Sequence, residues 1–333
     1  MTNTITRRAN KNMAHKINLF KHHHSLTDFY LSYIDNLYQN PIIQKQILDY
    51  SSFLKYSSML SERELFKKIL IHYLEEAELT LSLIKYLNFK KNDLLLEIGG
   101  GLGFVYGFLK KQGFNVYGIE PSDLGFDGYF NAAIQIFKII DVDKSNFYPF
   151  PAKECVKINK QFDIIFSNNV LEHIPELEKS FFAMKHILKS NGVMVHNTVN
   201  YFVPYEAHLK ILLVPFFPKL TEFFKPSLKK SSLWNGLRFI TSNQLKNICK
   251  SENLHITFRK DTLQKTFLRL DSDPEFATRQ KYFIYIHRIL KLTRLIRILD
   301  KIPIALTTPI EFTIRKNSLW YEKRPAGAGG LTG

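Results

Sequence analysis

The order of apolar and polar positions in the central part of the chain predicts a helix followed by a buried strand. The segment "RELFKKILIHYLEEAELTLSLIKYL" carries apolar residues at helical spacing. Ser61 and Glu64, at the start of this segment, have the spacing of a capping box, in which two side chains satisfy free backbone N–H groups. We therefore expect a long helix from about 62 to 87. The next segment, "DLLLEIG", is apolar up to Glu97, as in a strand covered on both faces.

Strands and helices continue to alternate after this point. A second strand is predicted at 115–120, and "AIQIFKIIDVD" is expected to hold a helix end and the third strand. The helix before the fifth strand is expected to stop at Asn191 and Gly192. The remaining predictions are strands at 162–167, 193–199, 254–260 and within 309–324, and a long basic amphipathic helix at about 279–300. This alternation indicates a parallel sheet with helices on both faces.

Residues 201–240 interrupt the alternation and predict an inserted cap. The segment holds Pro204, Pro215, Pro218 and Pro226 and the phenylalanines Phe202, Phe216, Phe217, Phe223 and Phe224. The phenylalanines could shape a pocket for an apolar or ring-bearing substrate, or they could form the core of the cap, and we favour the core. A second capping box, Thr241 with Gln244, then opens the next helix.

The bulk composition is that of a globular protein with an excess of positive charge. Of 333 residues 45% are hydrophobic, and the two cysteines are too few for a disulfide framework. No stretch approaches the roughly 18 apolar residues that a membrane-spanning helix needs. The net charge of +16 suggests an anionic partner, although solubility is an equally good explanation. We expect a cytoplasmic protein, and the oligomeric state stays open.

The stretch "LLLEIGGGLGFVYG", residues 94–107, is typical of a ligand-binding turn. A strand that ends in glycines and enters a helix exposes backbone N–H groups to which a ligand can come close. The dinucleotide pattern G-x-G-x-x-G requires glycine at position 104, which is Phe104 here. A carboxylate at Glu97 also suits a ligand that carries an ammonium group and would repel a pyrophosphate. A nicotinamide-dependent oxidoreductase is therefore disfavoured.

This stretch resembles the first motif of the class I S-adenosylmethionine-dependent methyltransferases, an acid followed by G-x-G-x-G. The resemblance implies S-adenosylmethionine as the cofactor, with Glu97 at its methionine end. It also implies that the cofactor is lined by the glycines of the turn, Gly99, Gly100, Gly101 and Gly103. A tight turn without a ligand is the alternative.

Two further acids are similar to cofactor-binding positions of this family. Glu120, at the end of "NVYGIE", can accept hydrogen bonds from a ribose diol. The resemblance implies that an acid at the end of the third strand reaches the adenine amino group, and Asp143 matches that position best, with Asp141 as second choice. The spacer to Pro149 is longer than is usual in the family, and a solvated loop acid is the alternative.

The segment "FDIIFSNNVLEHIPE" resembles a frequent signature of small-molecule methyltransferases in this class. The resemblance places Asn168 beside the cofactor and His173 near the entrance of the site. The segments "LKSNGVMVHNTVN" and "LRFITSNQLKNICKSENLHITFRK" are similar to later parts of the family pattern. The resemblance covers about 92–260 and, more weakly, the C-terminal strand.

The resemblance implies an α/β fold with a Rossmann-like, seven-stranded and mostly parallel sheet. We expect a helical N-terminal extension at 1–91, a methyltransferase domain at 92–325 with its cap at 201–240, and a flexible tail at 326–333. Whether that tail is native stays open.

Methyl transfer requires an aligned nucleophile and is helped by a general base. His208 in the cap is the first candidate for this base, with Glu206 as its partner, and His173 is the second. Each histidine could instead have a packing role. We expect no metal ion.

The expected acceptor is a small molecule or a lipid- or sugar-linked compound. An RNA methyltransferase gains support from the charge, but no RNA-binding module is visible. A scaffold without cofactor is the non-enzymatic alternative, which the intact acids and glycines disfavour. The helix at 279–300 could make a peripheral contact with the inner face of a membrane, or it could pack on the sheet.

Overall fold

A computed structural model describes residues 25–49, 60–122 and 127–317. The predicted tail at 326–333 lies outside these residues, as does the end of the segment that predicted the last strand. In the described part of the chain, none of the helices is long and apolar enough to cross a membrane.

The described residues form a seven-stranded sheet, which confirms the predicted fold class. Its strands are β1 (Leu94–Ile98), β2 (Asn115–Ile119), β3 (Phe147–Tyr148), β4 (Phe162–Asn168), β5 (Leu188–Thr198), β8 (Leu254–Phe258) and β9 (Ile310–Lys316). Their order is β3-β2-β1-β4-β5-β9-β8; β1 to β5 pair in parallel, and β9 is antiparallel to both β5 and β8. The chain changes direction across the sheet between β1 and β4, where such sheets open a crevice at the carboxyl ends of their strands.

Helices cover both faces of the sheet. The helices of the described residues, including α8 and α9 of the cap, are α1 (Leu26–Leu31), α2 (Ile34–Gln39), α3 (Pro41–Asp49), α4 (Glu62–Lys85), α5 (Phe104–Lys111), α6 (Asp127–Ile139), α7 (Leu177–Ile187), α8 (Thr221–Phe224), α9 (Ser232–Gly236), α10 (Ser242–Ser251), α11 (Thr262–Ser272), α12 (Pro274–Arg279) and α13 (Lys281–Leu292). Neighbouring residues of one strand enter different cores, because side chains alternate across a sheet. Leu95 packs in the core with α1 to α6, whereas Leu96 packs in the core with α7 and α10.

The N-terminal helices are tied directly to the glycine turn. The buried Tyr30 hydroxyl of α1 donates a hydrogen bond of 2.9 Å to the carbonyl oxygen of Phe104, at the start of α5. Both capping boxes are present, with Ser61 and Glu64 at the start of α4 and Thr241 and Gln244 at the start of α10. The helix predicted at 62–87 is confirmed with an end two residues earlier.

The third strand was predicted in the wrong segment. Residues up to Ile139 continue α6, and the strand that pairs with β2 is Phe147–Tyr148. The helix ends because Asp141 adopts a φ of 53° and the Val142 N–H donates to the carbonyl of Phe137 at 2.9 Å. The apolar residues of "IIDVD" therefore belong to a helix end and the turn after it.

Two other predicted boundaries also differ. Helix α7 ends at Ile187 rather than at Asn191, because the buried Leu188 already pairs with Phe162 of β4. The helix predicted at 279–300 is interrupted after Leu292, where Arg294 adopts a φ of 59°. Helices α11 and α12, which precede it, were not predicted.

The cap has a small core of its own, but most of its phenylalanines lie outside that core. A hairpin of β6 (Tyr205–Glu206) and β7 (Ile211–Leu212) packs with Trp234 and Leu237. Phe202, Phe216, Phe217, Phe223 and Phe224 are exposed, and none of them lines the cavity described below. Both functions considered for these side chains, a core and a substrate pocket, are therefore wrong.

Candidate active site

The turn between β1 and α5 has the backbone shape that its glycines allow. Gly99, Gly101 and Gly103 adopt φ values of 69°, 55° and 71°, a left-handed region that favours glycine. The N–H of Gly99 donates to the carbonyl of Ile119 at 2.9 Å, which fastens the turn to β2. The N–H of Gly101 donates to Oε2 of Glu120 at 2.7 Å.

The space around these three glycines differs, as a Cβ atom added to each of them shows. At Gly99 it would lie 2.6 Å from the γ-carbons of Val170, and at Gly103 2.4 Å from the Phe137 ring. At Gly101 it would meet no atom within 4 Å. Gly101 borders the cavity, so a ligand can approach its backbone where a side chain would otherwise stand.

Two buried carboxyl groups face this turn. Glu97 and Glu120 are both 4% exposed, and Oε2 of Glu97 has no hydrogen-bond partner. Burial and the neighbouring Glu120 raise the pKa of Glu97 well above its ordinary value. A buried carboxylate oxygen without a partner is costly, and a cationic ligand group would stabilise it. The orphaned oxygen and the open space at Gly101 fit the methionine end of S-adenosylmethionine.

One large cavity begins at this turn and continues under the cap. Its volume is about 1290 Å³, more than the roughly 300–1,000 Å³ of a typical small-molecule pocket. Glu97, Gly101 and Glu120 line one part of it, and Tyr205 and His208 of the cap line another. Phe267, Phe276 and Phe283, from α11 to α13, make part of its wall apolar. The cavity has room for a cofactor and an acceptor together.

The end of β4 meets α4 at the cavity. Asn168 accepts a hydrogen bond of 2.8 Å from Nδ2 of Asn197 through its Oδ1 atom. Nδ2 of Asn169 donates to Oε2 of Glu76 at 3.1 Å. Glu76 and His72 of α4 both line the cavity. Neither residue was a candidate from the sequence, because α4 was predicted to belong to an extension outside the catalytic domain.

The structure does not bring Asp143 and Asp141 into the cavity. Both lie before β3, at the amino end of the strand, whereas the cavity is at the carboxyl ends. The Asp143 carboxylate accepts hydrogen bonds from Ser145, and Asp141 forms an exposed ion pair of 3.7 Å with Lys111. Phe150 and Ala152, which follow β3, line the cavity instead.

The cap contributes a buried pair of titratable side chains. Oε1 of Glu206 lies 2.7 Å from Nδ1 of His208, and the Tyr201 hydroxyl donates to the same oxygen at 3.2 Å. Glu206 is completely buried. Burial acts to lower the pKa of His208, but the hydrogen bond and charge of Glu206 outweigh it and raise the pKa to about 9.

A second pair, Glu172 and His173, lies next to the first. Oε2 of the buried Glu172 accepts a hydrogen bond of 2.7 Å from Thr198, while Oε1 has no hydrogen-bond partner. Burial and the charge of His208 lower the pKa of His173 to about 3. The centroids of the His173 and His208 rings are 6.0 Å apart. The structure therefore brings together all three predicted catalytic candidates, His208, Glu206 and His173.

These side chains can exchange protons, and some of them could also hold a metal ion. Glu172, His173 and His208 offer ligand atoms within 4.8 Å of one another, and nitrogen and carboxylate ligands suit several divalent ions. This grouping was not predicted from the sequence, in which Glu172 was not a candidate and no metal ion was expected.

The strand order, the glycine turn and the acid before it place the chain in the class of S-adenosylmethionine-dependent methyltransferases. A family model for the methyltransferase domain matches residues 70–257, and the chain belongs to this family. The resemblance seen in the sequence is thereby confirmed, and with it S-adenosylmethionine as the cofactor of the class. The match begins within α4, which the predicted boundary at 91 had left outside the domain.

Curated relatives match parts of the chain. The "Uncharacterized protein Rv1509" of Mycobacterium tuberculosis is 30% identical over 196 residues, which cover 56% of this chain and 66% of that protein, just under two thirds of its length. The "Ubiquinone biosynthesis O-methyltransferase" of Actinobacillus pleuropneumoniae is 26% identical over 161 residues, or 46% of this chain and 68% of that protein.

Solved structures with similar folds are more distant in sequence. Phosphoethanolamine N-methyltransferase 2 of Haemonchus contortus, in complex with S-adenosylmethionine, aligns with a TM-score of 0.44 and 15% identity over 89% of this chain and 61% of that one. The YcgJ protein of Bacillus subtilis aligns with a TM-score of 0.44 and 14% identity over 73% of this chain and 99% of that one.

Proposed function

We propose that the protein transfers a methyl group from S-adenosylmethionine to a hydroxyl oxygen of a small-molecule or lipid- or sugar-linked acceptor. The observation that carries the proposal is that one cavity is lined both by Glu97, whose Oε2 has no hydrogen-bond partner, and by His208, whose imidazole is oriented by Glu206. A donor site and a proton acceptor thus open into the same space.

The donor half would be held by groups at the ends of β1 and β2. Glu97 would bind the ammonium group of the cofactor, and the open backbone at Gly101 would lie against it. Glu120 would accept hydrogen bonds from ribose hydroxyls, and Asn168 would lie beside the cofactor. When bound, S-adenosylmethionine supplies a methyl group on a positively charged sulfur.

The acceptor half would lie under the cap. His208 in its neutral form would take the proton from the acceptor hydroxyl, and Glu206 would stabilise the resulting imidazolium. The hydrogen bond to Nδ1 leaves Nε2 as the atom that receives the proton. The cap and α11 to α13 would exclude water from the reacting atoms. Oxygen as the acceptor atom is supported by the relatives that carry the name of ubiquinone biosynthesis O-methyltransferase.

This function is compatible with a cytoplasmic location and with peripheral contact at the inner face of a membrane. Helix α13 exposes Tyr285, Ile289 and Leu292 beside Lys291, a combination that suits the membrane–water interface.

The domain limits at 92–325, with a cap at 201–240, stay a prediction. Because α4 lines the cavity, it would have to be included in any fragment that is meant to bind the cofactor.

RNA methylation is the second candidate function, and the observation in its favour is the net charge of +16.

One experiment tests both candidate functions. The intact protein is incubated with methyl-labelled cofactor and cell extract, which is then separated into aqueous small-molecule, lipid, RNA and protein fractions. We expect label in the lipid or small-molecule fraction, and much less of it with His208→Gln. Label in RNA would favour the second candidate, and no label in any fraction would favour a scaffold.

A further inference from the structure

The edge of the cap exposes a dense group of large apolar side chains. Within the thirteen positions from 212 to 224, six apolar side chains are between 54% and 82% exposed: Leu212, Phe216, Phe217, Leu220, Phe223 and Phe224. We call this group the cap edge. Folded proteins seldom leave so many large apolar groups together in water unless they bind something. Among the described residues, the cavity lining includes none of the six.

The charges around the cap edge are mostly positive. Between 210 and 230 the chain has five lysines and one acid, Glu222. That acid is already engaged, since it accepts a hydrogen bond of 2.7 Å from Nε1 of Trp234 and pairs with Lys219 at 3.5 Å. Lys225, Lys229 and Lys230 are exposed. Phenylalanine beside lysine is a combination that binds anionic bilayers, because the rings enter the acyl boundary and the cations meet lipid phosphates.

The cap edge is anchored on a rigid base. Trp234 is fully buried in the cap core with Leu213 and Leu228, which lie on either side of residues 216–224 in the chain. The Val214 N–H donates to the hydroxyl of Thr221 at 3.0 Å, which closes the loop that carries Phe216 and Phe217. The backbone of this loop is thus held by a hydrogen bond before any partner arrives, so that less ordering is needed on binding.

We propose that the cap edge docks the protein on the surface of an anionic phospholipid bilayer. Charge complementarity selects this partner, because the exposed lysines of the same segment, Lys225, Lys229 and Lys230, are cations and a bilayer offers both acyl chains and phosphates. The cap edge is a different surface from the exposed apolar side chains of α13. The first part of α13 does lie beside the cap hairpin, because the rings of Tyr205 and Phe283 are 5.5 Å apart.

Docking in this orientation would bring the cavity to the source of an amphiphilic acceptor. Tyr205, His208 and Lys210 of the cap line the cavity, and Leu212 is exposed only two residues further on. An acceptor held in the bilayer would reach His208 by passing along the inner side of the cap. This step rests on the proposed function, whereas docking itself does not.

Vesicle co-sedimentation of the full chain tests the docking. We compare vesicles of zwitterionic phosphatidylcholine with vesicles that also contain anionic phosphatidylglycerol. We expect weaker binding to the anionic vesicles, by at least about tenfold, in a variant that combines Phe216→Ser, Phe217→Ser, Phe223→Ser and Phe224→Ser. We expect binding to weaken on the order of 100-fold in a variant that combines Lys225→Gln, Lys229→Gln and Lys230→Gln. The matched control is Phe182→Ser, since Phe182 is 51% exposed on α7 and should have no effect.

Thermal unfolding of each variant shows whether it is folded, and binding of S-adenosylhomocysteine by the intact protein keeps the two hypotheses apart. Intact docking without cofactor binding would leave the membrane surface standing and defeat the proposed function. Equal sedimentation of the intact protein and the phenylalanine variant would overturn the docking proposal. A second result would also overturn it: the intact protein forms an oligomer, the serine substitutions dissociate that oligomer, and neither protein binds vesicles. The cap edge would then be an interface between protein chains.

Discussion

Oε1 of the completely buried Glu206 lies 2.7 Å from Nδ1 of His208, and both residues belong to the cap rather than to the sheet. The carboxylate fixes one ring nitrogen as a hydrogen-bond donor, so the other nitrogen is the one that can exchange a proton with a ligand. The proposed proton acceptor thus belongs to the segment that interrupts the repeating part of the fold, while the proposed cofactor-binding acids, Glu97 and Glu120, lie at the ends of β1 and β2.

Removal of the imidazole should slow methyl transfer without loss of the cofactor. We expect His208→Gln to lower kcat by about 10²–10⁴-fold, the usual contribution of a general base, while the Kd for S-adenosylhomocysteine stays unchanged. His255→Gln is the control, because His255 is exposed on β8 and does not line the cavity. An unchanged rate for His208→Gln would remove His208 from the mechanism.

The pH profile should reflect the influence of Glu206. This carboxylate raises the pKa of His208 to about 9, so the ring is protonated at neutral pH and must lose its proton before it can act as a base. We therefore expect kcat/KM to rise with pH until about 9 and to level off above. In Glu206→Gln the charge that raises the pKa is gone, and the midpoint should move to lower pH. A midpoint that stays in place would contradict the assignment.

Cofactor binding should weaken in acid at a higher pH than an ordinary carboxyl group would cause. The pKa of Glu97 is raised, and only the ionised form attracts an ammonium group, so affinity is lost as the pH falls through this raised pKa. Glu97→Gln should bind S-adenosylhomocysteine weakly at every pH, with no such transition. Asp143→Asn is the matched control and should bind normally, because Asp143 lies outside the cavity. Calorimetry at a series of pH values measures both variants.

Two glycines of the same turn should respond differently to alanine. Gly101→Ala adds a methyl group where nothing lies within 4 Å, so the protein should fold, at a cost of about 1–3 kcal/mol for the left-handed backbone, and should lose cofactor affinity. In Gly103→Ala the new Cβ would lie 2.4 Å from the Phe137 ring, so the free energy of unfolding should fall further. Thermal unfolding and calorimetry distinguish the two effects, and normal cofactor binding by Gly101→Ala would contradict the assigned ligand position.

Chelation should leave the reaction intact. Glu172, His173 and His208 could share a metal ion, but the proposed role of His208 is that of a base, and a base needs its free nitrogen. We expect the same rate after dialysis against a chelator. A loss of activity that zinc or manganese restores would show that the three side chains act as ligands instead.

The sequence was most informative where the cause of a structure is local. The capping box at Ser61 and Glu64 spans four residues, and the glycine turn requires its φ values within one short segment. Both could be recognised from neighbouring residues alone. The seven-stranded sheet followed from the alternation of strands with helices and from the resemblance.

Features that depend on distant contacts could not be found in this way. Glu76 reaches Asn169 across 93 positions of the chain, and no pattern around either residue indicates the contact. Asp143 matched a family position by spacing, but the extended helix α6 moved the third strand beyond it. The phenylalanines of the cap have no regular period, so hydrophobicity alone could not tell whether they face inward or outward.

The most direct test of the account is calorimetric titration of the intact protein with S-adenosylhomocysteine, with NAD as the comparison ligand. The buried carboxyl of Glu97 favours a ligand with an ammonium group and opposes a pyrophosphate. The account predicts one-to-one binding of S-adenosylhomocysteine and no binding of NAD. The absence of binding by S-adenosylhomocysteine, or a preference for NAD, would contradict it.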